Sequence, residues 1–104
     1  MALDSKTLAE RLSLSKLVDF CRAKPIRKLW AFGSVTGDWR SDSDIDLLVE
    51  FLPGEEPDLL GVLDLEDELE ALLGRKVDLV ERDGVDNPYR IKSILDSRQQ
   101  IYAT

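Results

Sequence analysis

The sequence predicts a small mixed α/β fold, a β-sheet of three to four strands flanked by helices. Three observations point to it. Two short apolar runs, Ile26 to Phe32 and Asp44 to Phe51, are separated only by a polar stretch, and so short a connection favours antiparallel neighbours. A helical stretch, Asp58 to Leu73, then leads to a third run, Lys76 to Glu81, and a helical crossover favours parallel pairing. At 104 residues the chain can build one core and has no room for a second substrate domain, so residues 1–104 are read as a single domain.

Each element has its own justification. Residues 5–23 read as helical with a break near Leu12-Ser13, and Leu14, Leu17, Val18 and Cys21 fall on one face at helical spacing. Ser13 is the expected N-cap of the second part and Pro25 its stop. In the first strand, Leu29-Trp30-Ala31-Phe32 is a continuous apolar run, as in a strand covered on both faces. Gly33-Ser34 opens a tight turn or a short helix. Small residues there let the backbone approach a ligand, and free N–H groups at a helix start suit a phosphate, although Gly-Ser taken alone reads as a simple turn.

Thr36 to Ser43 is polar, and Pro53 to Pro57 is a surface loop. The helix Asp58–Leu73 is expected to bury Leu59, Val62, Leu63, Leu69, Leu72 and Leu73. Its acids Asp64, Glu66, Asp67, Glu68 and Glu70 are expected to face water, and Gly74 to end it. Asp78 lies inside the third apolar run, which is costly unless it is paired or metal-bound. Asp83 to Asn87 turns the chain, Pro88 suits the first position of a last helix burying Ile91, Ile94 and Leu95, and Gln99 to Ala103 adds a short edge strand.

Composition narrows the function. Hydrophobic residues make up 43% of the chain, which argues against disorder, and no apolar run approaches the roughly 20 residues of a membrane span. The first residues lack the basic-then-apolar pattern of a leader, and the single cysteine, Cys21, reads as a buried core thiol, so a cytoplasmic protein is expected. Residues 1–40 carry a net charge of +4 and the rest −11, for a total of −7. So acidic a chain is a poor general binder of nucleic acid. Without histidine it lacks Ser-His-Asp or Cys-His machinery and any histidine metal site. It also carries neither a G-x-x-x-x-G-K-[ST] phosphate loop nor a G-x-G-x-x-G fingerprint.

The chemistry concentrates at the second strand. Asp44 and Asp46 are one residue apart, so their side chains share a face, while Ile45, Leu47, Val49 and Phe51 point into a core. Like charges at adjacent same-face positions are tolerated poorly unless something positive lies between them. Hard divalent cations take one or two carboxylates together with substrate phosphates, so the pair reads as a metal–phosphate site; the plainer reading is a solvated turn. Asp42-Ser43-Asp44-Ile45-Asp46 is not an EF-hand loop, because Leu47 and Pro53 stand where that loop needs Gly and Glu. If the second and third strands are neighbours, Asp78 joins the face of the pair, and three carboxylates beside a phosphate-binding Gly-Ser suit metal-assisted nucleotidyl transfer.

This ordered set, Phe32-Gly33-Ser34, nine residues, Asp44-Ile45-Asp46, then Val77-Asp78-Leu79-Val80, resembles the minimal nucleotidyltransferases of the DNA polymerase β superfamily. The likeness extends to Gly37-Asp38, Ser41-Asp42-Ser43, Leu72-Leu73-Gly74-Arg75-Lys76 and Asn87-Pro88-Tyr89, and covers about residues 13–103. It implies a polymerase β-like fold, ATP as substrate with Mg²⁺, transfer of AMP to a hydroxyl, and release of pyrophosphate. It further implies Asp44, Asp46 and Asp78 as catalytic and metal-binding residues, with Asp78 helping to deprotonate the acceptor. Gly33 and Ser34 would hold the β and γ phosphates, with Thr36 and Arg40 as their neighbours. One departure stands out: family members often carry Arg-x-Arg after Gly-Ser and a longer spacer, whereas Val35-Thr36 follow here, which implies a weaker grip on the triphosphate.

The resemblance also implies a partner. Such proteins are often encoded beside a HEPN protein, an all-helical RNase toxin, and act as antitoxins by attaching AMP to a toxin tyrosine. The expected partners are therefore a HEPN-domain toxin and ATP, with no direct nucleic acid, no membrane, and the oligomeric state left open. Two alternatives stand beside this reading: an antitoxin that masks its partner by stoichiometric contact, and an enzyme modifying a small molecule. Trp39 and Tyr102 are read as either partner contacts or core.

Overall fold

The computed structural model describes residues 5–104. The reading of the first four residues as carrying no leader lies outside the described residues. The chain runs through helices α1 (Ser5–Arg11) and α2 (Leu14–Arg22), strand β1 (Ile26–Phe32), a 3₁₀ turn (Gly33–Thr36) and strand β2 (Ile45–Phe51). Helix α3 (Leu59–Leu73), strand β3 (Val77–Glu81), a second 3₁₀ turn (Arg82–Gly84), helix α4 (Pro88–Ser97) and strand β4 (Gln99–Ala103) follow. The sheet order is β3-β2-β1-β4. β1 is antiparallel to both β2 and β4, and β2 is parallel to β3. This is the mixed sheet expected from the lengths of the connections.

The two faces of the sheet bury different clusters. On one face Ile26, Leu29 and Ala31 of β1 and Ile45, Leu47, Val49 and Phe51 of β2 pack with Leu8, Leu17 and Cys21 from α1 and α2 and with Val62, Leu65 and Leu69 from α3. An extra residue of β1 between Ile26 and Lys28 shifts the β1–β2 register, which lets Ile26 and Leu29 reach the same face despite their odd spacing. On the other face Trp30, Phe32 and Leu48 meet Ile94 of α4. Cys21 is fully buried as expected, and burial pushes its thiol up to about 12.

Several expectations are corrected. Ser13 stands at the N-cap of α2 but its side chain accepts no capping hydrogen bond. In α3, Leu59 and Leu63 are 73% and 46% exposed, and the buried stripe is Val62, Leu65 and Leu69. That spacing of three and four keeps to one side of the helix, which Leu59 and Leu63 leave. Glu66 is not on the solvated face: it is half-buried and accepts from the Leu79 N–H at 2.8 Å, on the β3 edge of the sheet. In α4 only Ile94 is buried, while Ile91 and Leu95 are exposed, because the helix touches the sheet through one narrow strip. Trp39 and Tyr102 are half-buried against the larger core.

Other signals behave as read. Gly74 ends α3 at φ 70°, whereas Asp58, read as its first residue, is instead its N-cap, accepting from the Gly61 N–H at 2.8 Å. Pro88 opens α4, whose cap is Asn87, accepting from Tyr89 N at 2.9 Å and Arg90 N at 3.3 Å. Among the described residues no helix is long and apolar enough to cross a membrane.

Candidate active site

The acids converge at one end of the sheet. Asp46 is the second residue of β2, with Phe32 as its antiparallel partner and Asp78 as its parallel partner. It therefore lies between the end of β1, where the Gly33 turn begins, and the start of β3. Asp44 immediately precedes β2 and is exposed; Asp46 is half-buried; Asp78 is exposed, so it carries less of the burial cost that its apolar neighbours suggested. Strand alternation places Asp46 and Asp78 on the α4 side, since Ile45, Leu47 and Leu79 belong to the opposite core, and the charge of Asp44, just before the strand, acts on Asp46.

Asp46 is the electrostatic focus. Burial first, then the charges of Asp78 and Asp44, push its carboxyl above the usual carboxylate range, while Arg90 pulls it down. Arg90, two residues into α4, pairs with Asp78 at 3.3 Å. Sequence reasoning missed this arginine; its signal was a cation just after the Asn87-Pro88 helix start, facing a strand acid.

The Gly33 turn closes the other side. Gly33 has φ 73°, and the position a Cβ would occupy is taken by the Asp46 carboxylate oxygen Oδ2. Only glycine therefore lets the two segments meet this closely. Its N–H donates weakly to Ser97 Oγ of α4 at 3.4 Å. Ser34 Oγ donates to the Asp44 carbonyl at 3.3 Å, which ties the turn to the acidic strand. Thr36 is buried and its hydroxyl bonds the Gly33 carbonyl at 2.8 Å, so it shapes the turn. Arg40 is exposed and paired with Asp38 at 3.0 Å.

Two further arginines hold the scaffold: Arg75, which stood out only within the Leu72-Leu73-Gly74-Arg75-Lys76 segment of the resemblance, and Arg11, which no motif marked. Arg11 donates to the carbonyls of Val35 and Gly37, each at 3.0 Å, satisfying the end of the turn. Arg75 stacks 4.0 Å from the Trp39 ring and donates to the carbonyls of Arg40 and Ser43 at 2.9 and 3.0 Å, fixing the loop that delivers Asp44.

The donor set fits a hard divalent cation. Three carboxylates lie close together, and after burial the charges of Asp78 and Asp44 add to what pushes the Asp46 carboxyl up. They are not gathered into a closed cage: among the described residues no group of three or more His, Cys, Asp or Glu is placed to hold a metal ion. Mg²⁺ is ordinarily bound by one or two carboxylates completed by substrate phosphates and water, so an open pair such as Asp44 and Asp46 suits it. Against the turn, a cleft of about 550 Å³ opens towards α4.

Comparison with known proteins decides the family. The profile of the nucleotidyltransferase domain matches residues 14–101. The chain belongs to the nucleotidyltransferase domain family. It is similar to protein adenylyltransferase MntA of Thermococcus cleftensis, 52% identical over 56 residues that make up 53% of this chain and 54% of that protein. It is also similar to a candidate protein adenylyltransferase of Methanocaldococcus jannaschii, 47% identical over 70 residues, 66% of this chain and 69% of that protein. Among solved structures, a candidate minimal nucleotidyltransferase is 35% identical, covers 93% of this chain and 95% of its own, and superposes with a TM-score of 0.69. An MNT antitoxin in complex with a tri-AMPylated HEPN toxin of Shewanella oneidensis shares the fold, with a TM-score of 0.66 at 22% identity, covering 88% of this chain and 70% of that one. This nucleotidyltransferase thus has the polymerase β-like fold of the minimal members of its superfamily.

Proposed function

We propose that the protein transfers AMP from ATP to a hydroxyl, a tyrosine, of a HEPN-type toxin and so acts as its antitoxin. The observation that carries this reading is the pairing of Asp46 with Asp78 on adjacent strands beside the Gly33 turn, with Asp44 just before β2. The likeness to MntA, named a protein adenylyltransferase, and the shared fold with an antitoxin bound to a tri-AMPylated toxin support the choice of acceptor.

The acceptor oxygen attacks the α-phosphorus of ATP. A new P–O bond forms, the bond to the β-phosphate oxygen breaks, and pyrophosphate leaves. Asp78, the most open of the β-strand acids, receives the acceptor proton, and Arg90 steadies the carboxylate that must accept it. Asp44 and Asp46 would hold Mg²⁺, which when bound would supply charge neutralisation and orientation to the triphosphate. Gly33 and Ser34 present backbone and hydroxyl donors to the β and γ phosphates. Ser34 need give up only a long 3.3 Å bond to do so.

A second reading has its own observation. Leu59, Leu60 and Leu63 on α3 are all exposed, an apolar surface suited to stoichiometric masking of a partner. Intact mass spectrometry of the co-encoded neighbour after incubation with this protein, ATP and Mg²⁺ separates the two. We expect a mass gain of one or more AMP units, absent with Asp44→Ala/Asp46→Ala. Neutralisation by the double variant without any gain would replace the enzymatic account with masking.

A further inference from the structure

The missing basic pair after Gly-Ser leaves the triphosphate without an obvious cation. Val35 and Thr36 are 0% and 5% exposed, so neither position can offer a charge to a ligand. The nearby arginines all have partners: Arg11 the turn carbonyls, Arg75 the loop before Asp44, and, as exposed pairs, Arg40 with Asp38 and Arg90 with Asp78.

Helix α4 provides an alternative. Tyr89, Lys92, Ser93 and Asp96 recur at spacings of three and four, so they form one face, and that face lines the cleft of about 550 Å³. The opposite wall is the Gly33 turn, and the volume lies in the range of small-molecule sites. Gly33 borders both the cleft and the Asp46 carboxylate, so a phosphate chain leaving the acidic site runs directly into the cleft. Lys92 makes no ion pair or hydrogen bond among the described residues. Asp96, one turn on, is its nearest opposite charge along the helix, but the Lys-before-acid order is the weaker one and no ion pair forms. Tyr89, 86% exposed, flanks the same cleft with an aromatic surface.

We propose that Lys92 binds the β/γ end of the donor triphosphate in the cleft between α4 and the Gly33 turn, replacing the cations absent from Val35-Thr36. The proposal rests on the reading that the site takes a nucleoside triphosphate. A flexible ammonium is suited to this task, since it follows a mobile phosphate as a point charge.

The test is calorimetric binding of a non-hydrolysable ATP analogue and of AMP, both with Mg²⁺, to the full chain. Lys92→Ala should weaken analogue binding about tenfold or more while leaving AMP within about twofold, because AMP lacks the contacted phosphates. Lys92→Arg should recover most of the loss, and Asp96→Asn should tighten the analogue by removing a like charge. Lys16→Ala, an exposed cation on α2, should change neither ligand. Equal losses for both ligands, a loss no greater than that of Lys16→Ala, or a wild-type chain that does not bind the analogue would each overturn the proposal. AMP transfer is read separately: a chain that shows the Lys92 effect but modifies no partner overturns the AMP-transfer reading and leaves the role of Lys92 standing.

Discussion

At Gly33 the backbone takes φ 73°, and the space of a Cβ holds the Asp46 carboxylate. Gly33→Ala therefore has two separable effects. The left-handed backbone costs about 1–2 kcal/mol for any residue with a Cβ. The methyl also displaces Asp46, and a shift of about 1 Å at a reacting centre lowers turnover about a hundredfold. Gly74, at φ 70° with open space around its Cβ position, isolates the first effect. Urea denaturation should show both variants destabilised, while transfer assays should show only Gly33→Ala impaired. Asp46 adds a pH-dependent prediction. Its folded pKa lies above its ordinary value of 3.8, so the native state binds this proton more tightly than the unfolded state does. The stabilisation is fully present below 3.8 and is lost as pH rises through the folded value. In metal-free protein Asp46→Asn should therefore raise the melting temperature at neutral pH, and the difference should close as pH falls towards 3.8. A difference independent of pH would show that charge is not the cause.

At the scale of elements, α3 tests how packing selects among leucines. Leu69 is 1% exposed and Leu63 46%, though the two look alike in sequence. Leu69→Ala should cost about 2–5 kcal/mol and Leu63→Ala about 0.5 kcal/mol or less, measured by chemical denaturation. The contrast explains what the chain made legible. Strand β2 was readable because Ile45, Leu47, Val49 and Phe51 alternate onto one buried face, with Asp46 and the buried Leu48 on the other. The paired acids and Asp78 were readable for the same reason, once β2 and β3 were taken as neighbours. In α3, leucines occur all round the helix, so periodicity could not choose Leu65 over Leu63; the sheet chose. Glu66 was misread because its partner, the Leu79 N–H, exists only once α3 lies along the β3 edge. Arg11 and Arg75 act on carbonyls more than twenty residues away, contacts no local pattern encodes.

At the scale of the molecule, the candidate site joins parts that the chain keeps far apart. β2 and β3 supply acids, the Gly33 turn supplies small residues, and α4 packs across them through Ile94 while carrying Arg90 and Lys92. The second cluster of the core, Trp30, Phe32, Leu48 and Ile94, is therefore what holds α4 over the acids. A ligand that bridges the acids and α4 binds only the folded arrangement, so it must stabilise the whole domain. Saturation at about a hundred times Kd contributes about 2.7 kcal/mol. For a domain of this size that corresponds to a rise in melting temperature on the order of 10 °C. Mg²⁺ with a non-hydrolysable ATP analogue should produce such a rise in differential scanning calorimetry. Either component alone should produce much less, because Mg²⁺ is ordinarily held by one or two carboxylates completed by substrate phosphates. Chelation of the metal should reverse the gain. Asp44→Ala/Asp46→Ala should abolish it while keeping a cooperative unfolding transition, since Asp44 is exposed and Asp46 lies outside both apolar clusters. A full rise in the double variant would place nucleotide binding away from the acids and break the link between this fold and its proposed chemistry.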